Sequence, residues 1–122
     1  VEGERLAPEN RASAELFRDW GIPTAASVVY CVSAGMSTVI ATGGIVSGLD
    51  IAKSLALGAH AAGLARPVLK ELHESGRAGA LRYLRRVETE LKIAMLLTRA
   101  RSVAELRRVE RTISSPLSDW IR

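Results

Sequence analysis

Ala41-Thr42-Gly43-Gly44-Ile45-Val46-Ser47-Gly48-Leu49-Asp50 is where the fold of this chain is decided. The run that feeds it, Thr38-Val39-Ile40-Ala41-Thr42, is β-branched and apolar and predicts a buried strand of a parallel sheet. Gly43-Gly44 closes that strand, and residues 47 or 48 to 57 predict a helix with Leu49, Ala52, Leu55 and Ala56 on one side and Gly58 as its stop. A strand that runs through glycines into a helix has a chemical meaning. Glycine lets the backbone come close to a ligand, and the free N–H groups at a helix start favour an anion.

Working outward, residues 60–65 predict a second strand, weak in propensity because of its alanines but acceptable if covered on both faces. It leads into Leu64-Ala65-Arg66-Pro67, a second strand end that opens into a helix. Toward the N-terminus, Asn10 is placed to cap a helix that runs to about Trp20, with Leu16 and Trp20 four apart on one face and Gly21 as its end. Pro23 suits the first turn of another helix, through Thr24, Ala25, Val28 and Val32 to Gly35. Cys31 falls inside it and is expected as a small buried hydrophobe rather than a nucleophile.

Toward the C-terminus, Pro67 begins a helix through Val68, Leu69 and Leu72 that ends near Gly76. A longer helix is expected from about residue 79 to 98, where Leu81, Leu84, Val87, Leu91, Ala94 and Met95 recur every three or four positions. Glu88 precedes Lys92 by four, the favourable order for a helical ion pair. Ser102 with Glu105 forms a capping box for the next helix, and the tail holds Pro116 and Trp120. Strands alternating with helices indicate βαβ units around a parallel sheet. Two strands do not close such a sheet, so other material completes it, or this piece assembles with a partner.

A chain of 122 residues allows one domain, spanning 1–122, and domains of this size bury about two thirds of their unfolded surface. With 48% hydrophobic and 25% charged residues it is neither disordered nor fibrous in composition. Five aromatic residues leave the core to Leu, Val, Ile and Ala. The longest apolar stretch, residues 38–64, is interrupted by Gly43, Gly44, Gly48, Asp50, Lys53, Gly58 and His60, short of the roughly 20 unbroken apolar residues of a membrane span. Cys31 is the sole cysteine, which excludes an internal disulfide, and no secretory leader is recognised, so a cytoplasmic location is expected. The start at Val1 rather than methionine leads to the expectation of missing upstream sequence, with processing as the alternative.

Charge is uneven: residues 1–65 have net −2 and residues 66–122 net +6. Arg82, Arg85, Arg86, Arg107, Arg108 and Arg111 are interleaved with Glu88, Glu90, Glu105 and Glu110, which reads as a solvated helix surface rather than a nucleic-acid face. Gly-x-Gly-x-x-Gly and Gly-Lys-Ser/Thr are both lacking, which removes the dinucleotide Rossmann and P-loop readings. His60 and His73 have no carboxylate pattern that predicts a metal site, and His73 beside Glu71 and Glu74 reads as a solvated helix face. Ser27, Ser33 and Ser47 lack a base partner for nucleophilic catalysis. A lone glycine pair makes only a tight turn. Two successive βα turns of anion-facing type, one helix apart, instead fit the phosphate site that barrels build from the loops after strands 7 and 8.

The run Asp19-Trp20-Gly21-Ile22-Pro23-Thr24-Ala25-Ala26-Ser27, then Thr42-Gly43-Gly44-Ile45, Ser47-Gly48-Leu49-Asp50, Ala52-Lys53 and Leu55-Ala56-Leu57-Gly58-Ala59, resembles type 2 isopentenyl diphosphate isomerase. The resemblance continues through Ala65-Arg66-Pro67, Glu90-Leu91-Lys92, Ala94-Met95 and Leu97-Thr98 and covers roughly residues 15–110. FMN-dependent α-hydroxy acid oxidases share the glycine-loop part, and Gly-Ile-Pro-Thr-Ala-Ala-Ser tips the choice to the isomerase.

The resemblance implies an α/β fold, the C-terminal part of a TIM (β/α)8 barrel with strands 7 and 8 and their helices. It implies a flavoenzyme that interconverts isopentenyl and dimethylallyl diphosphates with FMN, Mg2+ and NADPH, and that forms homo-oligomers. Carried over position by position, Gly43, Gly44, Ile45 and Val46 would offer backbone N–H groups to the FMN phosphate, and Ala65 and Arg66 would complete the cradle. Val46 stands where arginine is usual in the family, and His60 where aspartate is common. A backbone contact tolerates the first change and a guanidinium contact does not, while His60 reads as a strand-end residue. The catalytic and metal-binding residues are expected outside this chain. For the isolated chain a non-catalytic, self-associating half-barrel is the alternative, because open strand edges and an uncovered sheet face favour association. Gly44→Val is expected to block the phosphate, and Arg66→Ala to have a smaller effect.

Overall fold

The computed structural model describes residues 8–17 and 19–121. Among the described residues, six helices and two strands follow in the order α1 Pro8–Leu16, α2 Thr24–Ser33, β1 Ile40–Ala41, α3 Gly48–Ala56, β2 Ala61–Ala62, α4 Arg66–Leu97, α5 Val103–Leu106 and α6 Leu117–Trp120. The strands pair in parallel, Ile40 with Ala61 and Ala41 with Ala62, and α3 makes the crossover between them. The expected topology is therefore present, with strands far shorter than residues 38–42 and 60–65. Flanking hydrogen bonds extend the pairing: His60 N donates to Val39 O (2.7 Å) and Gly63 N to Ala41 O (2.8 Å).

Alternation along β1 decides where the core lies. Val39 and Ala41 are buried against α2 and α3 with Val28, Ile45 and Ala59, and Cys31 packs at the edge of this cluster as a small hydrophobe. Ile40 points the other way and is 61% exposed. The expectation of a buried strand at residues 38–42 thus holds for one of its faces. A second cluster, Ala52, Leu55, Ala100 and Leu106, joins the far side of α3 to α4 and α5, and Ile51 touches both clusters. α3 is accordingly the central element, with helices behind it and the sheet in front.

The helix ends follow local chemistry. The Ser47 hydroxyl accepts from Asp50 N (3.1 Å), which starts α3 where Ser47-Gly48 predicts it. Pro23 sits at the N-cap of α2, and Gly35 follows its C-cap Ala34. Residues 66–97 run on as one helix, but Gly76 has φ 62° and breaks it where the sequence places the end of the first segment. Glu88 and Lys92 pair at 2.6 Å. Ser102 caps α5 by accepting from Glu105 N (3.1 Å), while Glu105 reaches back to Arg101 N (2.7 Å), one residue before the cap.

α1 departs from expectation. It ends at Leu16 rather than near Trp20, and it begins two residues before Asn10. The capping side chain of Asn10, and Val1, lie outside the described residues. Phe17 and Trp20 stack edge-on instead, with ring centroids 6.1 Å apart, a contact available once the helix has ended. Tyr30 on α2 donates to the carbonyl of Trp120 and ties the tail to the first core.

Candidate functional site: a glycine-lined hollow between two strand-to-helix turns

Both βα turns end at one hollow of about 470 Å³, lined by Thr42, Gly43, Gly44, Ile45, Val46, Gly63, Ala65, Arg66, Pro67 and Lys70. The parallel pairing forces this convergence, since parallel neighbours finish on the same edge of the sheet. All six residues singled out from the sequence, Gly43, Gly44, Ile45, Val46, Ala65 and Arg66, are on its wall. Gly43 and Gly44 have φ of 96° and 72°, in the left-handed region that favours glycine. A Cβ built on Gly44 meets no atom within 4 Å, so the space beside it is open, as a close-approaching ligand requires.

The donors divide into two groups. Among the described residues, the amides of Gly43, Gly44 and Ile45 have no protein acceptor, nor do those of Arg66 and Val68 in the first turn of α4. The start of α3 is different. Val46 N donates to Asp50 Oδ2 (3.2 Å), Asp50 N to Ser47 Oγ (3.1 Å) and Gly48 N to Glu90 Oε2 (2.8 Å). Val46 therefore lines the hollow with its amide already held by the protein itself, unlike the free N–H expected from the sequence. The free end of a helix facing the hollow is that of α4.

Arg66 is exposed at the rim and has no carboxylate partner among the described residues. Lys70, one turn further along α4, is a lining residue the sequence reading missed. Its spacing of four from Arg66 puts it on the same helix face and was the available signal. Its pair with Glu74 is 3.9 Å long and largely solvated, so its ammonium is only loosely engaged.

Asp50 accepts from the Ser47 hydroxyl as well (2.7 Å). Partial burial works against its charge, but the Ser47 hydroxyl, the Val46 and Ser47 amides and Lys53 together hold its carboxyl below the usual carboxylate range. Tyr83 donates to Val46 O (2.5 Å) from the α4 side, and its burial, opposed by Arg86 and reinforced by Glu90, pushes its phenol up. Outside the hollow, His60 Nδ1 accepts from Val39 N (3.2 Å), so this imidazole braces the strand start. Ser47 is used as a cap. Among the described residues, no group of three or more His, Cys, Asp or Glu side chains is gathered to hold a metal ion. No helix among them is long and apolar enough to cross a membrane. A larger depression over residues 109–113 is lined by that one stretch and brings no elements together.

A parallel sheet whose two βα turns face one hollow defines an α/β protein with room for a ligand at its strand ends. The chain belongs to the FMN-dependent dehydrogenase family, whose pattern matches residues 20–112. It is homologous to isopentenyl-diphosphate delta-isomerases, as the resemblance in its motifs implied. It is 46% identical over 122 residues to that of Metallosphaera sedula, covering 99% of this chain and 33% of the relative. It is 43% identical over 107 residues to that of Methanopyrus kandleri, covering 86% and 29%. In three dimensions it matches a crystal structure of mandelate oxidase with a TM-score of 0.73 and 33% identity, over 78% of this chain and 30% of that one. The fold is thus related to the FMN-dependent TIM-barrel enzymes, and the chain spans about a third of the length of the proteins it matches.

Proposed function

We propose that this chain supplies strands 7 and 8 of a (β/α)8 barrel and that the hollow seats the phosphate of FMN. The observation that carries this reading is that two successive βα turns line one space beside Lys70, with the amides of Gly43, Gly44, Ile45 and Arg66 lacking a protein acceptor among the described residues. Helix N-termini and unpaired amides favour a dianion, and the two cations at the rim add to the attraction. Val46 and Ala65 form the wall, so the valine at position 46 leaves the charge to α4.

In the complete protein the activity we infer is interconversion of isopentenyl and dimethylallyl diphosphates. Identities of 43% and 46% with the isomerases support it over oxidation of 2-hydroxy acids, since mandelate oxidase stands at 33%. Bound FMN would supply proton transfer at the substrate double bond, while residues 1–122 hold and orient its phosphate. Mg2+ and NADPH, the catalytic groups and the substrate diphosphate would be bound by the rest of the barrel. The bare face at Ile40 fits a position against other strands of that barrel. Homo-oligomers and a cytoplasmic location complete the proposal, with neither nucleic acid nor membrane as a partner.

The test is flavin titration of the complete protein with FMN and with riboflavin, followed by assay with isopentenyl diphosphate. FMN should bind more tightly than riboflavin. The Arg66→Ala, Lys70→Ala double variant should lose about tenfold in FMN affinity and little in riboflavin affinity, the size expected for charge-assisted contacts. Equal affinity for the two flavins in the wild type would end the cradle assignment.

A further inference from the structure

Away from the residues that line the hollow, α4 grips the glycine loop at two points. Tyr83, only 6% exposed, donates its hydroxyl to Val46 O (2.5 Å). Two turns later, Glu90 accepts from Gly48 N (2.8 Å). Arg86 lies between them, its guanidinium 5.0 Å from the centre of the Tyr83 ring and its Nε 3.6 Å from Glu90 Oε1. Gly48 is packed so tightly on α4 that a Cβ there would stand 2.2 Å from Val87 O.

We propose that Tyr83 and Glu90 are positioning residues for the flavin phosphate, clamping the loop from α4 so that the amides of Gly43, Gly44 and Ile45 stay aimed into the hollow. The inference rests on the cradle reading above and adds residues that never touch the ligand. Its physical basis is that the two peptide groups flanking Val46 are each tied, the Val46 N–H to Asp50 and the Val46 C=O to Tyr83, while Thr24 Oγ1 donates to Gly43 O (2.8 Å). The outward-facing amides then have little freedom to turn away. Donors held in place lose less entropy when the anion arrives, which raises affinity without a new contact. Glu90 has a second consequence. By occupying Gly48 N, its carboxylate makes the start of α3 a poor anion seat and leaves α4, with Arg66 and Lys70, as the favoured one.

The experiment compares FMN and riboflavin affinities of the complete protein for the wild type, Glu90→Ala, Glu90→Gln and Tyr83→Phe. Riboflavin has the ring but lacks the phosphate. Glu90→Ala should weaken FMN about tenfold and riboflavin less than about twofold, and Glu90→Gln, which keeps an acceptor for Gly48 N, should recover most of the loss. Tyr83→Phe keeps the ring under Arg86 and should weaken FMN by about threefold to tenfold. If the variants bind FMN as the wild type does, or lose FMN and riboflavin in equal proportion, the clamp is overturned while the cradle stands. If the wild type shows no preference for FMN over riboflavin, the cradle falls and the clamp with it.

Discussion

The two ends of the glycine loop use glycine for opposite reasons. At Gly44 the backbone has φ 72° and a Cβ would meet nothing within 4 Å, so glycine is there for conformation and for open space. At Gly48, in the first turn of α3, the backbone is helical and a Cβ would meet Val87 O at 2.2 Å, Leu91 N at 2.4 Å and Glu90 Cβ at 2.6 Å. Glycine is needed there because two helices touch. The front of the loop is thus open and the back close-packed, and they are only four residues apart.

The sharpest way to break this contrast is alanine at each glycine in turn. Gly48→Ala must drive α3 off α4, because the atoms it would meet are mostly backbone, and should cost about 3 kcal/mol of stability by denaturant unfolding of the complete protein. Gly44→Ala meets no atom, so its stability cost should be only the left-handed strain of about 1 kcal/mol, while FMN retention falls by more than stability does. A Gly48→Ala protein as stable as the wild type would remove the packing role. The same φ shows why Gly44→Val is a blunter probe than the sequence indicated: a β-branched residue strains the loop before it reaches any phosphate.

Acid should separate the two ends more gently. The Asp50 carboxyl is held below its usual range by the loop, so its contribution is present above the unfolded value of about 3.9 and is lost as pH falls through the folded value. Asp50→Asn should therefore flatten the fall in stability below about pH 4 by roughly 0.5 kcal/mol, read from urea midpoints across that range. An unchanged acid slope would mean that the carboxylate does not brace the loop.

Much of this contrast was legible locally. Ser47 as the start of α3, the helix end at Gly76, the Glu88–Lys92 pair and the capping role of Ser102 each depend on residues within a few positions, and each is in the structure. Lys70 was legible and overlooked, since it needs only the four-residue spacing from Arg66. The end of α1 at Leu16 was not, because Trp20 continues the helical spacing and nothing local opposes it.

The strand-glycine-helix order around Gly43-Gly44 and the parallel βαβ reading of β1 and β2 followed from propensity, capping and glycine conformation, which act over one or two turns of chain, whereas the six residues on the wall of the hollow came from the resemblance to the isomerases. Which amides are taken up within the protein depends on contacts far apart along the chain. Tyr83 reaches Val46 across 37 positions and Glu90 reaches Gly48 across 42, and no local pattern encodes such contacts. They exist because α3 packs on α4 through a glycine, which brings side chains of the long helix to a loop far away in sequence.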